Sequence, residues 1–249
     1  MVSDQESDRR DSPAPVRVAA PLPVSTWAFV VACAIAGALA VPVDAVASPV
    51  SALVAGILGF LGLRLWRWSG LAGSLKTGAN DGFARVVRPV ASLGLGLLVG
   101  LLVLGVIRLA IEPTVPAAGA RIAAAAALPI WRRVVIIYVA AVGEELVFRL
   151  LLLSVVTGLT MRLLRRAPVP GRGVVWGSIG LSALTFGAAH LPAWSALGHL
   201  SPGLALMVMT LNGLGGVVFG RVFVTRGIVA AMWAHAGADC AIQLVGPLT

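Results

Sequence analysis

The chain is expected to fold as an all-α, polytopic transmembrane helical bundle of about seven spans. Three features predict this. Hydrophobic residues make up 59% of the chain and charged ones 12%, with a mean hydropathy of +0.97, outside the range of soluble globular domains. The apolar runs approach the roughly 20 residues that a helix needs to cross a bilayer. Finally, arginines gather in alternate connections between these runs, as they do where cytoplasmic loops hold positive charge.

Taken in order, the first 25 residues are polar, of mixed charge and proline-containing, and are expected to form a disordered tail. Residues 26–249 should form one bundle, with spans at about 27–43, 50–66, 89–111, 134–159, 174–191, 203–220 and 227–247. Ala45-Val46-Ala47 has the small-residue pattern of a signal-peptidase site, but the preceding run is too long for a signal-peptide core and other spans follow, so it reads as an uncleaved first span. With the N-terminus cytoplasmic, inner connections collect Arg64, Arg67, Lys76, Arg85 and Arg88, then Arg162, Arg165, Arg166 and Arg172, then Arg221 and Arg226. The outer side holds only Arg121, Arg132 and Arg133, which supports this orientation in a cell membrane, read as prokaryotic.

The longest inner connection, 66–88, contains tryptophans and arginines suited to the headgroup region and can hold an amphipathic surface helix. Gly96-x-x-x-Gly100 and Gly216-x-x-x-Gly220 provide small faces on which helices can approach closely. The net charge of +9 does not point to nucleic acid, because the arginines flank apolar runs instead of forming one basic face. The two cysteines, Cys33 and Cys240, have neither metal nor disulfide spacing and read as small buried hydrophobes.

An ionisable group at membrane depth costs at least about 2.5 kcal/mol, so each one present needs a partner, a wet cavity or a function. They are few: Arg108; Glu144, Glu145 and Arg149 in span four; His190 in span five; His235 and Asp239 in span seven, with Asn212 as a further polar residue in span six. Glu145 and Arg149 are one helical turn apart with the acid first, the favourable order for an ion pair. Glu144 lies about 100° round the helix and is left without that partner. Phe186 and His190 share a face, as do His235 and Asp239. Independent packing needs rarely supply a spare glutamate, two histidines and an aspartate together, and these groups can activate water beside a carbonyl carbon. Ser182 and Cys240 lack the spacing to be nucleophiles paired with either histidine, so attack by water is favoured over a covalent intermediate. His199 reads as a loop residue, and Asn212 as a helix-to-helix hydrogen bond.

Glu144-Glu145-x-x-x-Arg149, Phe186-x-x-x-His190 and His235-x-x-x-Asp239, in that order on three spans within 131–247, resemble the CPBP (Abi) family of intramembrane proteases, which includes CAAX prenyl proteases and bacteriocin-processing proteins. The resemblance implies an endopeptidase acting on a membrane-associated protein or peptide within the bilayer. It further implies that Glu144 and His190 hold the attacking water, that His235 and residue 239 face the oxyanion, that Glu145 and Arg149 support them and that Phe186 packs beneath. Some members carry asparagine where this chain has Asp239; the aspartate is expected to accept from His235 and fix its tautomer.

Two alternatives are weighed. His190, His235 and Glu144 can be written as a zinc site, but a His-Glu-x-x-His helix is missing, so a glutamic mechanism without cofactor is favoured. A proton-coupled transporter or an immunity protein can use the same buried charges without cleavage. Neither internal repeats nor helices broken in both halves are seen, which argues against the transporter. Helix register places the site in the outer half of the bilayer or near its middle. That suits trimming of C-terminal anchors on exported proteins, as by the myxosortases, alongside CAAX-type or bacteriocin-type processing.

Overall fold

The computed structural model describes residues 24–41, 46–74, 82–164 and 169–249. Most of the expected polar tail, and the part of the 66–88 connection from 75 to 81, lie outside the described residues; of that connection the described part includes a short 3-10 turn, Leu71–Ser74. The regular structure of the described residues is helical throughout.

The order is α1 (Val24–Leu39), α2 (Ala47–Trp68), α3 (Gly82–Val106, continued as a π-helical turn over Ile107–Ile111), α4 (Pro116–Ala126) and α5 (Ile130–Glu145). A π-helical stretch, Leu146–Leu153, joins α5 to α6 (Ser154–Leu163). Then come α7 (Arg172–Ala189), the short α8 (Leu191–Ser195), α9 (Pro202–Arg226) and α10 (Ile228–Cys240), which ends in a third π-helical turn over Ala241–Val245.

Among the described residues, five helices are long and apolar enough to cross a membrane: Ala47–Trp68, Arg88–Ile111, Arg172–Ser195, Pro202–Arg226 and Ile228–Leu248. The expected count of seven differs by two segments. The first apolar run yields a helix of only 16 residues, and the helix through α5 and α6 is apolar only on either side of Glu144, Glu145 and Arg149. Between 17% and 39% of each of the five apolar windows is buried inside the protein, so most of their surface is left for lipid. Leu98, Leu102, Leu184 and Leu206 are among the side chains that face outward. The chain is an integral membrane protein.

Glycine sets the tightest contacts. Gly96 and Gly100 bring α3 against the backbone of α10 at Ala234 and Ala238, while Gly237 of α10 lies on the backbone of α3 at Leu93 and Leu97. Gly216 and Gly220 of α9 pack on Ala183 and Ile179 of α7. Both expected small-residue faces therefore meet a partner helix. Gly227 alone joins α9 to α10, and its φ of 92° is a left-handed conformation that glycine adopts without a Cβ penalty. These contacts hold α10 between α3 and α9, and α5 lies along its other side.

Candidate active site

α10 presents His235 and Asp239 one turn apart on one face, as the sequence spacing requires. α5 ends with Glu144 and Glu145, and α7 ends at His190. The apolar segment of α7 runs on through α8 to Ser195, which places His190 inside a candidate span of Arg172–Ser195.

Glu145 and Arg149 are both fully buried, with Arg149 Nη1 3.1 Å from Glu145 Oε1. The same carboxylate oxygen lies 2.9 Å from His235 Nδ1. Arg149 Nη2 donates to the carbonyl of Gly216 at 3.4 Å. Its guanidinium lies 4.3 Å from the centre of the Phe186 ring, with Phe148 and Phe219 also in range, so aromatic faces replace part of its lost hydration. The π-helical stretch widens the backbone beside this pair, and its Phe148 carbonyl accepts from Ser182 Oγ of α7 at 2.7 Å. The Ser182 hydroxyl is thereby engaged by backbone.

Glu144 points the other way, into a cavity of about 110 Å³ between α3, α5, α7, α9 and α10. Its Oε2 is 3.6 Å from His235 Nε2 and 4.0 Å from His190 Nε2. That oxygen is buried and has no hydrogen-bond partner in the protein. His190 donates from Nδ1 to the carbonyl of Phe186 at 2.8 Å, which leaves Nε2 for the cavity. Asp239 Oδ2 is 3.8 Å from His235 Nε2. The bond expected from His235 to Asp239 is therefore absent: 3.8 Å is too long for one, and Glu145 orients the imidazole through Nδ1. The reason is register, because the acid one turn along α10 faces the cavity whereas Glu145 approaches the ring edge from α5.

Glu144, His190, His235 and Asp239 thus line one cavity, and Glu145 with Arg149 lies behind it. Some participants were not legible. Phe219 stacks on His235 with ring centres 4.9 Å apart and planes at 16°; a phenylalanine within an apolar helix gives no sequence signal for this. Asn212 lines the cavity, but its amide donates to Val208 of its own helix at 2.9 Å and not across helices. His199 lies outside the helices, in the connection before α9.

A second cavity of about 280 Å³ adjoins the first, and His190, Asn212 and Asp239 line both. Its walls are mostly apolar, from Ile107, Ile122, Trp194 and Leu211, with Arg121 of α4 and Gln243 also on it. Arg121 is exposed and donates to the Ala193 carbonyl at 2.8 Å. The pair of chambers therefore leads from the acid and imidazole groups to the end of the bundle occupied by α4 and α8.

No curated protein and no solved structure gives a significant match to the chain. Residues 126–241 match the family model described as type II CAAX prenyl endopeptidase Rce1-like, a segment that contains all six charged and imidazole groups of the cavity and its support. That segment is similar to the CAAX-type intramembrane endopeptidases of the CPBP family.

Proposed function

We propose that the chain cleaves a peptide bond of a membrane-anchored protein or peptide with water activated by Glu144 and His190. The observation that carries this reading is the position of Glu144 Oε2, buried, unpartnered in the protein and facing two imidazole Nε2 atoms at 3.6 and 4.0 Å. A water that makes two hydrogen bonds of about 2.8 Å can bridge such a separation. In the proposed reaction, Glu144 takes a proton from that water while its oxygen attacks the scissile carbonyl. Glu144 then returns the proton to the leaving amine, so base and acid are one residue.

His235 is assigned the oxyanion. With Nδ1–H held by Glu145, a second proton on Nε2 makes the ring a donor into the cavity, and the Glu145 carboxylate balances its charge. Asp239, ionised, would repel an oxyanion; it is assigned to the counter-charge of His235 and to the wall toward the second chamber. Arg149 holds Glu145 in place through the contact between Nη1 and Oε1.

The geometry lends less support to a zinc site on His190, His235 and Glu144. Tetrahedral ligands with bonds of about 2.0 Å stand about 3.3 Å apart, closer than the 3.6 and 4.0 Å found. Among the described residues, no group of three His, Cys, Asp or Glu side chains converges as a metal-ligand set. No step is assigned to a metal.

The mostly apolar second chamber suits an extended, apolar stretch of substrate. If the arginine-rich ends are cytoplasmic, the chambers open outward. C-terminal sorting segments of exported proteins, of the myxosortase type, are then better placed as substrates than prenylated cytoplasmic tails. The test is cleavage of synthetic C-terminal membrane segments by the purified protein, comparing wild type with Glu144→Gln. Product from wild type alone is expected. Product from both would remove Glu144 from the reaction, and product from neither across a broad peptide panel would favour an immunity or transport role.

A further inference from the structure

At the opposite end of the bundle from the chambers, a groove of about 750 Å³ lies between α3, α7 and α9. Three arginines surround it: Arg88 in the second turn of α3, and Arg221 and Arg226 on the last turns of α9. Its depth is apolar, formed by Leu95, Val217 and Val218.

Arg149 pairs with Glu145 and Arg108 with Glu112, while Arg121 and Arg133 are held by backbone carbonyls. Among the described residues, none of the three groove arginines has a carboxylate within 4.0 Å. Two of them are nevertheless positioned. Arg226 Nη1 donates to Ser92 Oγ at 3.2 Å, which ties the end of α9 to α3, and Arg221 lies 5.9 Å over the Trp176 ring of α7. What distinguishes these three is convergence: three guanidinium groups line one groove with no carboxylate among its lining residues, which leaves their charge to an anion.

The direction of the polarity identifies which anion. From Arg88 to Leu95 the helix rises about 10 Å, at 1.5 Å per residue, and along that distance the lining changes from three guanidinium groups with the Thr225 hydroxyl to aliphatic side chains. The same change, from phosphate to acyl chain, occurs along a phospholipid at the membrane surface. A free phosphate would use the rim and leave the apolar depth empty; a soluble acidic protein could not reach that depth. We propose that this groove binds one anionic phospholipid, with its phosphate among Arg88, Arg221 and Arg226 and its acyl chains along Leu95, Val217 and Val218. The site is independent of the proteolytic reading, since none of its residues lines the catalytic cavity.

The experiment is native mass spectrometry of the delipidated full chain in detergent, titrated with phosphatidylglycerol or phosphatidylcholine of matched chains. Wild type should retain one phosphatidylglycerol in preference to phosphatidylcholine. Arg88→Gln/Arg221→Gln/Arg226→Gln should lose that preference, and Arg162→Gln/Arg172→Gln, which removes two arginines outside the groove, should keep it. If the triple variant does not fold, Arg221→Gln decides, with an expected loss of about fivefold, corresponding to about 1 kcal/mol for one arginine near the membrane surface. Equal loss in the Arg162/Arg172 control would reduce the effect to general surface charge and overturn the proposal. So would complete displacement of the lipid by millimolar inorganic phosphate, or equal retention of the two lipids by wild type.

Discussion

Glu145 Oε1 lies 2.9 Å from His235 Nδ1 and 3.1 Å from Arg149 Nη1, so a single buried oxygen joins the base of one helix to the imidazole of another. Its neighbour in sequence, Glu144, faces the cavity and makes no hydrogen bond within the protein through Oε2. Two adjacent glutamates are thus divided between support and chemistry.

The division predicts opposite responses to the same substitution. Glu145→Gln leaves Arg149 charged, fully buried and without its counter-ion, a kind of loss that costs about 3–5 kcal/mol. Its melting temperature in detergent should fall steeply, and cleavage with it. Glu144→Gln removes no hydrogen bond within the protein and should stay within about 0.5 kcal/mol of wild-type stability while cleavage is abolished. Thermal unfolding and peptide cleavage measured on both variants test this; a stable Glu145→Gln protein would dissolve the distinction.

Arg149→Lys asks whether charge alone is sufficient. The guanidinium lies against Phe186 and Phe219 and also reaches the Gly216 carbonyl of α9. An ammonium keeps the charge but has neither the planar face nor the fork. Arg149→Ala, in contrast, removes the desolvated cation–π contact as well, worth about 2 kcal/mol. The expected result is a protein less stable than wild type but more stable than Arg149→Ala, with reduced turnover because His235 loses its fixed neighbour. Stability equal to wild type would mean that the planar fork contributes nothing beyond its charge.

The extent to which the sequence revealed this site follows from the solvent. In a bilayer an ionisable group is costly enough that its presence is informative, so Glu144, His190, His235 and Asp239 stood out and their one-turn spacings gave the shared faces. The same solvent hides packing. Where nearly every position is apolar, periodicity no longer tells an inward face from an outward one, so Phe219 beneath His235 and the π-helical stretch after Glu145 left no trace in the pattern. Arg121 read only as a topology signal, although it also lines the second chamber. Glu145, not Asp239, holds the His235 ring because of how α5 and α10 are placed, which no spacing along either helix encodes.

The depth of α10 against α3 can be tested through its glycines. A methyl group at Gly237 would meet the Leu93 carbonyl and the Leu97 backbone nitrogen, atoms that cannot move without moving the helix, whereas a methyl at Gly105 would meet nothing within 4 Å. Gly237→Ala should therefore displace His235 and Asp239 and abolish cleavage, even where some protein still reaches the membrane. Gly105→Ala, a better helix former in the same helix pair, should be neutral or slightly stabilising. Cleavage and melting temperature of the two alanine variants are the measurement, and a fully active Gly237→Ala would contradict the close α3–α10 contact.

The orientation proposed for the chambers can be checked without knowing a substrate. Arg121 of α4 and Arg172 at the start of α7 are both exposed and lie at opposite ends of the bundle. In a background with Cys33 and Cys240 replaced by alanine, each can be substituted singly by cysteine and exposed in intact cells to a membrane-impermeant maleimide. Placement of the arginine-rich connections in the cytoplasm requires Arg121→Cys to react directly and Arg172→Cys to react only after the membrane is permeabilised. The reverse pattern would turn the chambers toward the cytoplasm, and prenylated or other cytoplasmic tails would then become the better-placed substrates for the same Glu144 and His190.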